Sequence, residues 1–178
     1  MIAIVDYKAG NLTSVKLALG YLGVDCQITH DPDVIRGAER VIFPGDGAAA
    51  AAMEHLNELR LLAPLKDAIA KGTPTLGICL GTQVICDWSD EDGGVPCMGL
   101  LPGKVKKFIA PDPLCKIPQM GWNTMKFARK HPLFEGIEDD SEFYFIHSYY
   151  PVPESRDLVM GETQYADATF ASAVGKDN

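Results

Sequence analysis

Apolar residues along the first half of the chain fall into two alternating rhythms. Met1 to Asp6 is a short apolar run closed by an acidic turn residue, as in a buried strand. Asn11 stands as an N-cap before Leu12, Val15, Leu19 and Leu22, which recur at helical spacing until Gly23 stops them. Val24, Cys26 and Ile28 alternate as a strand does, and Val41-Ile42-Phe43 forms another, broken by Pro44-Gly45-Asp46-Gly47. An alanine-rich helix is predicted from Ala50 to Leu61, and a further one between Pro64 and Lys71-Gly72. Thr75 to Ile78 reads as a buried strand and Leu80 to Trp88 as the helix after it.

After Gly93 the character changes. Lys104–Ile109, Leu114–Ile117, Glu142–His147, Asp157–Glu162 and Thr169–Val174 read as short strands joined by Pro- and Gly-rich loops. Strand and helix alternating in this way imply a parallel sheet covered on both faces. The expected fold is α/β: a three-layer, flavodoxin-like, mostly parallel sheet with a β-rich second half, in one domain over residues 1–178. There is no internal repeat and no linker long enough to divide the chain.

Composition narrows the function. Hydrophobic residues make up 47% and charged residues 22% of the chain, an ordinary balance for a folded domain. The net charge of −8 disfavours nucleic acid as a partner, since phosphate binding needs a basic face. The Lys104 to Lys107 stretch is too small to change that and reads as a solvated strand face. The opening run lacks the form of a signal peptide, and no apolar run approaches the ~20 residues of a membrane helix. The five cysteines (Cys26, Cys79, Cys86, Cys97 and Cys115) form no C-x-x-C pair, disulfide framework or zinc knuckle. A reducing cytoplasm is the expected setting, with no metal and no cofactor.

Cys79 stands apart from the other four. Gly77-Ile78-Cys79-Leu80-Gly81 lies where a buried strand hands over to a helix, the arrangement of a nucleophile elbow with sulfur in place of hydroxyl. The glycines allow the sharp turn and keep the nucleophile clear of side chains. A helix N-terminus favours thiolate, and the Leu80 amide would face an oxyanion on an attacked carbonyl. The plain alternative is a small buried hydrophobe. The flanking glycines and the strand-to-helix placement favour the nucleophile. The remaining cysteines lack such a setting and read as fillers.

Gly77 to Gln83 resembles the nucleophile motif of class I, triad-type glutamine amidotransferases. Further segments resemble the family of glutamine amidotransferase subunits of imidazole glycerol phosphate synthase, which serve histidine biosynthesis. These are Asp6 to Leu12, Pro44 to Gly47, Pro118 to Asn123 and Phe145 to Tyr150. They occur in the family's order and span nearly the whole chain. The resemblance implies hydrolysis of glutamine to glutamate and ammonia through a thioester at Cys79. It further implies ammonia passing through a tunnel to a (β/α)₈-barrel cyclase subunit that makes imidazole glycerol phosphate.

Carried over residue by residue, Gly45 and Gly47 match the loop whose amides approach the substrate oxyanion, where side chains would obstruct. Asp46 replaces a residue usually apolar in the family and is expected to face outward. Gln83 matches a glutamine-binding position. Glu91 matches the carboxylate receiving the substrate ammonium, although Asp87, Asp90, Glu91 and Asp92 also read as a solvated helix end. Ser148 and Tyr149 match residues whose backbone holds the substrate carboxylate, against the plainer reading of a strand end. Met120, Trp122 and Asn123 match the cyclase-facing surface, where Trp122 would be an anchor rather than a core residue. Gln119 departs from the histidine more usual there.

His147 sits temptingly near these segments, but the family's general base belongs to a Phe-His-Pro-Glu segment further along, and none of His30, His55, His131 and His147 matches it. That segment does not occur in these residues. Gly175 to Asn178 is a run of turn formers expected to introduce a return strand, so the sequence reads as truncated. Two alternatives stay open: a class I glutaminase serving another synthase, and a catalytically incomplete subunit that only stabilises or regulates the cyclase.

Overall fold

The computed structural model describes residues 1–166, 168–176 and 178. Four strands, β1 (Ile2–Val5), β2 (Cys26–Thr29), β3 (Arg40–Gly45) and β4 (Thr75–Cys79), form a parallel sheet in the order β2-β1-β3-β4. Ala3, Val5, Val41 and Phe43 from this sheet join the main core with residues of the helices that connect it. Those helices are α1 (Leu12–Tyr21), α2 (Pro32–Gly37), α3 (Ala49–Glu58), α4 (Leu62–Ala70) and α5 (Leu80–Val84). The strand order reverses direction between β1 and β3, and such switch points place ligands at the carboxyl ends of the strands.

Local chemistry accounts for the element ends. The Asn11 side chain accepts the Ser14 N–H at 3.1 Å, as the capping pattern predicts. Gly23, with φ of +68°, closes the turn after α1. None of the α1 residues is buried, so its apolar spacing is only partly used. Helix α2 is absent from the sequence-based expectation. Its signal is Asp31-Pro32, where Asp31 accepts the Asp33 and Val34 N–H groups and proline opens the first turn.

The second half holds β5 (Cys86–Ser89), β6 (Val95–Pro96), β7 (Leu101–Lys107), β8 (Gln119–Phe127), β9 (Ser141–His147), β10 (Tyr149–Pro153), β11 (Val159–Tyr165) and β12 (Ala168–Val174). They assemble as β10-β7-β5-β6 and β12-β11-β8-β9. Among the described residues only the β5–β7 pair is parallel there, so the all-parallel sheet is that of the first half. Lys104, Lys106 and Lys107 are exposed on β7, the solvated face expected of them.

Several expected elements differ. The helix predicted over Leu80–Trp88 stops at Val84, because Cys86 and Trp88 pair with Leu101 and Lys104 of β7. No strand forms over Leu114–Ile117. The Asp112 carboxylate instead accepts the Leu114 and Cys115 N–H groups at 2.7 and 3.1 Å, a turn that competes with extended backbone. The long strand of this region is β8, where the sequence pattern marks a motif rather than a strand. Before β11, residues Arg156–Leu158 form a 3-10 turn capped by Ser155. The turn expected over Gly175 to Asn178 includes Asp177, which lies outside the described residues. Among the described residues, no helix is long and apolar enough to cross a membrane.

Candidate active site

The carboxyl ends of β3 and β4 lie side by side, with Gly45 paired to Cys79. Cys79 occupies φ 55°, ψ −113°, a positive-φ conformation that side-chain-bearing residues rarely adopt. The elbow is enforced by its glycines. A methyl on Gly81 would come within 1.8 Å of the Phe43 carbonyl oxygen, and one on Gly77 within 3.0 Å of the Gly81 and Thr82 backbone. Thr82 Oγ1 donates to the Gly77 carbonyl at 2.8 Å and ties the two limbs of the turn together.

The thiol itself departs from expectation. Cys79 is exposed, yet protein packed behind the sulfur dehydrates the anionic form, and this desolvation is the main reason its pKa stands above the ordinary value. The Leu80 N–H works in the opposite direction, and the Asp46 charge adds to the rise. Helix α5 has five residues, too short for its dipole to reverse this balance. Elsewhere, burial pushes Cys86 up to about 12 and Cys97 up to about 11.

The loop Gly45-Asp46-Gly47 is held from the β1–α1 side. Asp46 is exposed, as expected, and its Oδ1 accepts the Gly10 N–H at 2.9 Å. Gly10 itself, at φ +96°, lies so close to Gly45 that a methyl on it would meet the Gly45 Cα at 3.1 Å. Gly47, at φ +89°, has open space around it, so glycine is required there by its backbone rather than by crowding.

Gln83 and Tyr149 are joined directly: Gln83 Nε2 donates to the Tyr149 carbonyl at 3.1 Å. His147 Nδ1 lies 2.8 Å from the same carbonyl, and its Nε2 lies 3.1 Å from Gln119 Oε1. Both of these oxygens are acceptors, so a neutral ring donates to only one of them. Burial also lowers the His147 pKa, so the ring serves as a neutral pin. The Ser148 carbonyl accepts the Phe108 N–H at 3.0 Å. The Tyr149 phenol stands above its ordinary value through desolvation and then the charges of Glu91, Asp92 and Asp90.

Glu91 does not lie on a solvated helix end. It opens a 3-10 turn after β5, and its Oε2 accepts the Ala49 N–H at 2.7 Å at the start of α3. Asp87 accepts the Gly103 N–H at 3.0 Å, and Asp90 accepts the Trp88 indole N–H at 3.1 Å. The described residues contain no cluster of three or more His, Cys, Asp or Glu side chains that could hold a metal ion.

A second surface lies on β8 and β9. The register pairs Met120 with Ile146 and Trp122 with Tyr144, and these four alternate to one exposed face. Trp122 is 69% exposed, which removes the core reading, and meets Tyr144 edge-on at 5.6 Å. Asn123 does not join Met120 and Trp122. Alternation turns it to the opposite face, where its amide donates to the Gln164 carbonyl at 3.0 Å. Sequence reasoning missed Tyr144 and Ile146, although the period of two within Glu142–His147 points to them. It also missed Tyr7, a fully buried residue beneath Gly45.

The profile of the family described as "Glutamine amidotransferase class-I" matches residues 3–178. The chain belongs to that family. Among relatives of this class-I glutamine amidotransferase, "Imidazole glycerol phosphate synthase subunit HisH" of Nitrosococcus oceani is 44% identical over 99% of the chain and 85% of the relative. The protein of the same name from Moorella thermoacetica is 45% identical over 99% of the chain and 82% of its own length. A crystal structure of a glutamine amidotransferase aligns over 97% of the chain and 89% of its own, with a TM-score of 0.70 and 15% identity. A glutamine amidotransferase from Thermotoga maritima aligns over 94% and 72%, with a TM-score of 0.60 and 13% identity. At those identities the likeness is one of fold.

Proposed function

We propose that the chain is the glutaminase subunit of an imidazole glycerol phosphate synthase, acting in histidine biosynthesis in the cytoplasm as one domain over residues 1–178. The observation that carries this reading is the Cys79 elbow in register with Gly45. An exposed sulfur on a strained turn can reach the carboxamide carbon of glutamine. The relatives named HisH give the reading its substrate and pathway.

Attack by the Cys79 sulfur converts the carboxamide into a tetrahedral adduct. In this reading the amides of Leu80 and of the Gly45–Gly47 loop receive its oxyanion. Collapse expels the amide nitrogen as ammonia, leaving a thioester that water opens to glutamate. Gln83 and the backbone at Ser148 and Tyr149 hold the substrate's amino-acid end, and Glu91 receives its ammonium. The resemblance assigns the proton transfers to a Phe-His-Pro-Glu segment that these residues do not contain, so no proton step is assigned to His147.

The exposed Met120, Trp122, Tyr144 and Ile146 face supports docking of a second protein, the relatives' name supports a further synthase subunit as that partner, and the resemblance in the motifs makes it a (β/α)₈-barrel cyclase. Aromatic residues flanked by aliphatic ones are the usual anchors of such contacts. Incubation with a glutamine-derived chloroketone tests the reaction at its first step. Selective labelling of Cys79, blocked by excess glutamine and lost in Cys79→Ala, is expected. Failure to label, or labelling indifferent to glutamine, overturns the glutaminase reading and favours a subunit that only regulates the cyclase.

A further inference from the structure

Tyr7 is wholly buried, and its hydroxyl has no hydrogen-bond partner among the described residues. An unpaired buried hydroxyl costs free energy, and such groups concentrate where function needs them. The ring packs against Phe43, with centroids 5.0 Å apart, and the hydroxyl is buried away from water. Its tip lies directly beneath the candidate site. A methyl on Gly45 would come within 1.9 Å of the hydroxyl oxygen and 3.1 Å of the Leu80 Cβ. The hydroxyl therefore fills the space that a side chain on Gly45 would need, and Gly45 is the register partner of Cys79.

We infer that the Tyr7 hydroxyl is a hydrogen-bond donor reserved for the Cys79 sulfur in its deprotonated form. Resting thiol offers a buried donor little, whereas thiolate is a strong acceptor for a donor that is already desolvated beside the elbow. The hydroxyl keeps its own proton throughout. Burial, with the charges of Asp46 and Cys79, raises its pKa. The titratable groups electrostatically coupled to Cys79 come from two loops: Tyr7 from β1–α1 and Asp46 from β3–α3. Lys8, next to Tyr7, is not the counterion, because its Nζ pairs with Glu58 at 3.1 Å. Tyr7 thus opposes the desolvation and the Asp46 charge that otherwise hold Cys79 as a thiol.

The inference rests on Cys79 being the glutaminase nucleophile, and its test separates the two ideas. The rate of alkylation of Cys79 by iodoacetamide is followed against pH in the full chain, read on the Cys79 peptide by mass spectrometry. That readout keeps Cys26, Cys97 and Cys115 out of the signal. Tyr7→Phe keeps the ring against Phe43 and removes only the donor. Its alkylation midpoint should move to higher pH, slowing Cys79 about threefold or more at neutral pH. Asp46→Asn removes a charge that raises the thiol, so its midpoint should move to lower pH. General loosening would hydrate the sulfur in both variants and lower both midpoints, so opposite signs are diagnostic. A Tyr7→Phe profile that coincides with wild type, or moves with Asp46→Asn, overturns the inference. Should circular dichroism show Tyr7→Phe unfolded, fluorotyrosine in the wild-type chain supplies a stronger donor. The midpoint should then fall, and an unmoved midpoint is equally fatal. Absence of chloroketone labelling in wild type would instead remove the glutaminase reading beneath it.

Discussion

Gly45 and Cys79 are paired across the parallel β3–β4 ladder, so the strained nucleophile and the loop that would receive the oxyanion share one hydrogen-bonded frame. Their crowding differs in kind from that around Gly81. At Gly81 a methyl meets backbone, the Phe43 carbonyl at 1.8 Å, whereas at Gly45 it meets the tip of one side chain, the Tyr7 hydroxyl at 1.9 Å. Gly81→Ala should therefore destabilise the fold by about 3 kcal/mol or prevent folding, with no simple rescue. Gly45→Ala should cost about 1–3 kcal/mol, and adding Tyr7→Phe should restore part of it, since the next atoms lie beyond 3 Å. Urea titrations of the two single variants and the double variant check this. A strictly additive double variant would contradict the geometry.

Glu91 caps α3, and one pair of variants tests whether it also serves substrate. Helix α3 begins at Ala49 after Ala48, which has no side chain to cap it, and the Glu91 carboxylate supplies the missing acceptor. Glu91→Ala should lose about 1 kcal/mol of stability, while Glu91→Gln keeps an acceptor and should lose less. If Glu91 also receives the substrate ammonium, both variants should weaken glutamine protection against chloroketone labelling. Protection unchanged in Glu91→Gln would leave Glu91 as a cap alone.

Cys79 and its two glycines were legible because the chemistry lies within five consecutive residues. The parallel half was legible because buried strands and capped helices alternate along it. What escaped depends on pairing between distant segments. Cys86 to Ser89 continues a helical-looking run, and only β7 beside it makes it a strand. Gln119 to Phe127 mixes Gly, Trp, Asn and Lys without a clean apolar rhythm, because its exposed face carries Met120 and Trp122 in place of polar residues. The same inversion hid Tyr144 and Ile146. Tyr7 was unreadable as a neighbour of the elbow, since its place beneath Gly45 exists only once β1 and β3 lie together.

Trp122 tests the β8–β9 face as a docking surface. It is 69% exposed and its main aromatic contact is Tyr144, so Trp122→Ala should change stability by less than about 0.5 kcal/mol. Affinity for a cyclase subunit should fall by about 2 kcal/mol or more, roughly thirtyfold, as for an anchor residue. Asn123→Ala should have little effect on that affinity, because its amide faces Gln164 on the other side of the sheet. Isothermal titration of wild type and the two variants with the cyclase subunit decides the matter. Equal losses for Trp122 and Asn123 would mean the face is assigned wrongly.

His147 should make the fold acid-sensitive. Burial lowers its pKa, against the bond to the Tyr149 carbonyl that works the other way. The unfolded chain titrates near the ordinary imidazole value of about 6.5, so it takes up a proton more readily than the folded chain. Stability from the neutral ring is therefore complete above about pH 6.5 and is lost as pH falls through the lower folded value. Protonation would place charge among Phe108, Phe145 and Phe170 in a largely buried position. Thermal midpoints measured from neutral to mildly acidic pH should fall more steeply for wild type than for His147→Gln, which cannot titrate. Parallel curves would show that the acid response comes from the carboxylates rather than from this ring.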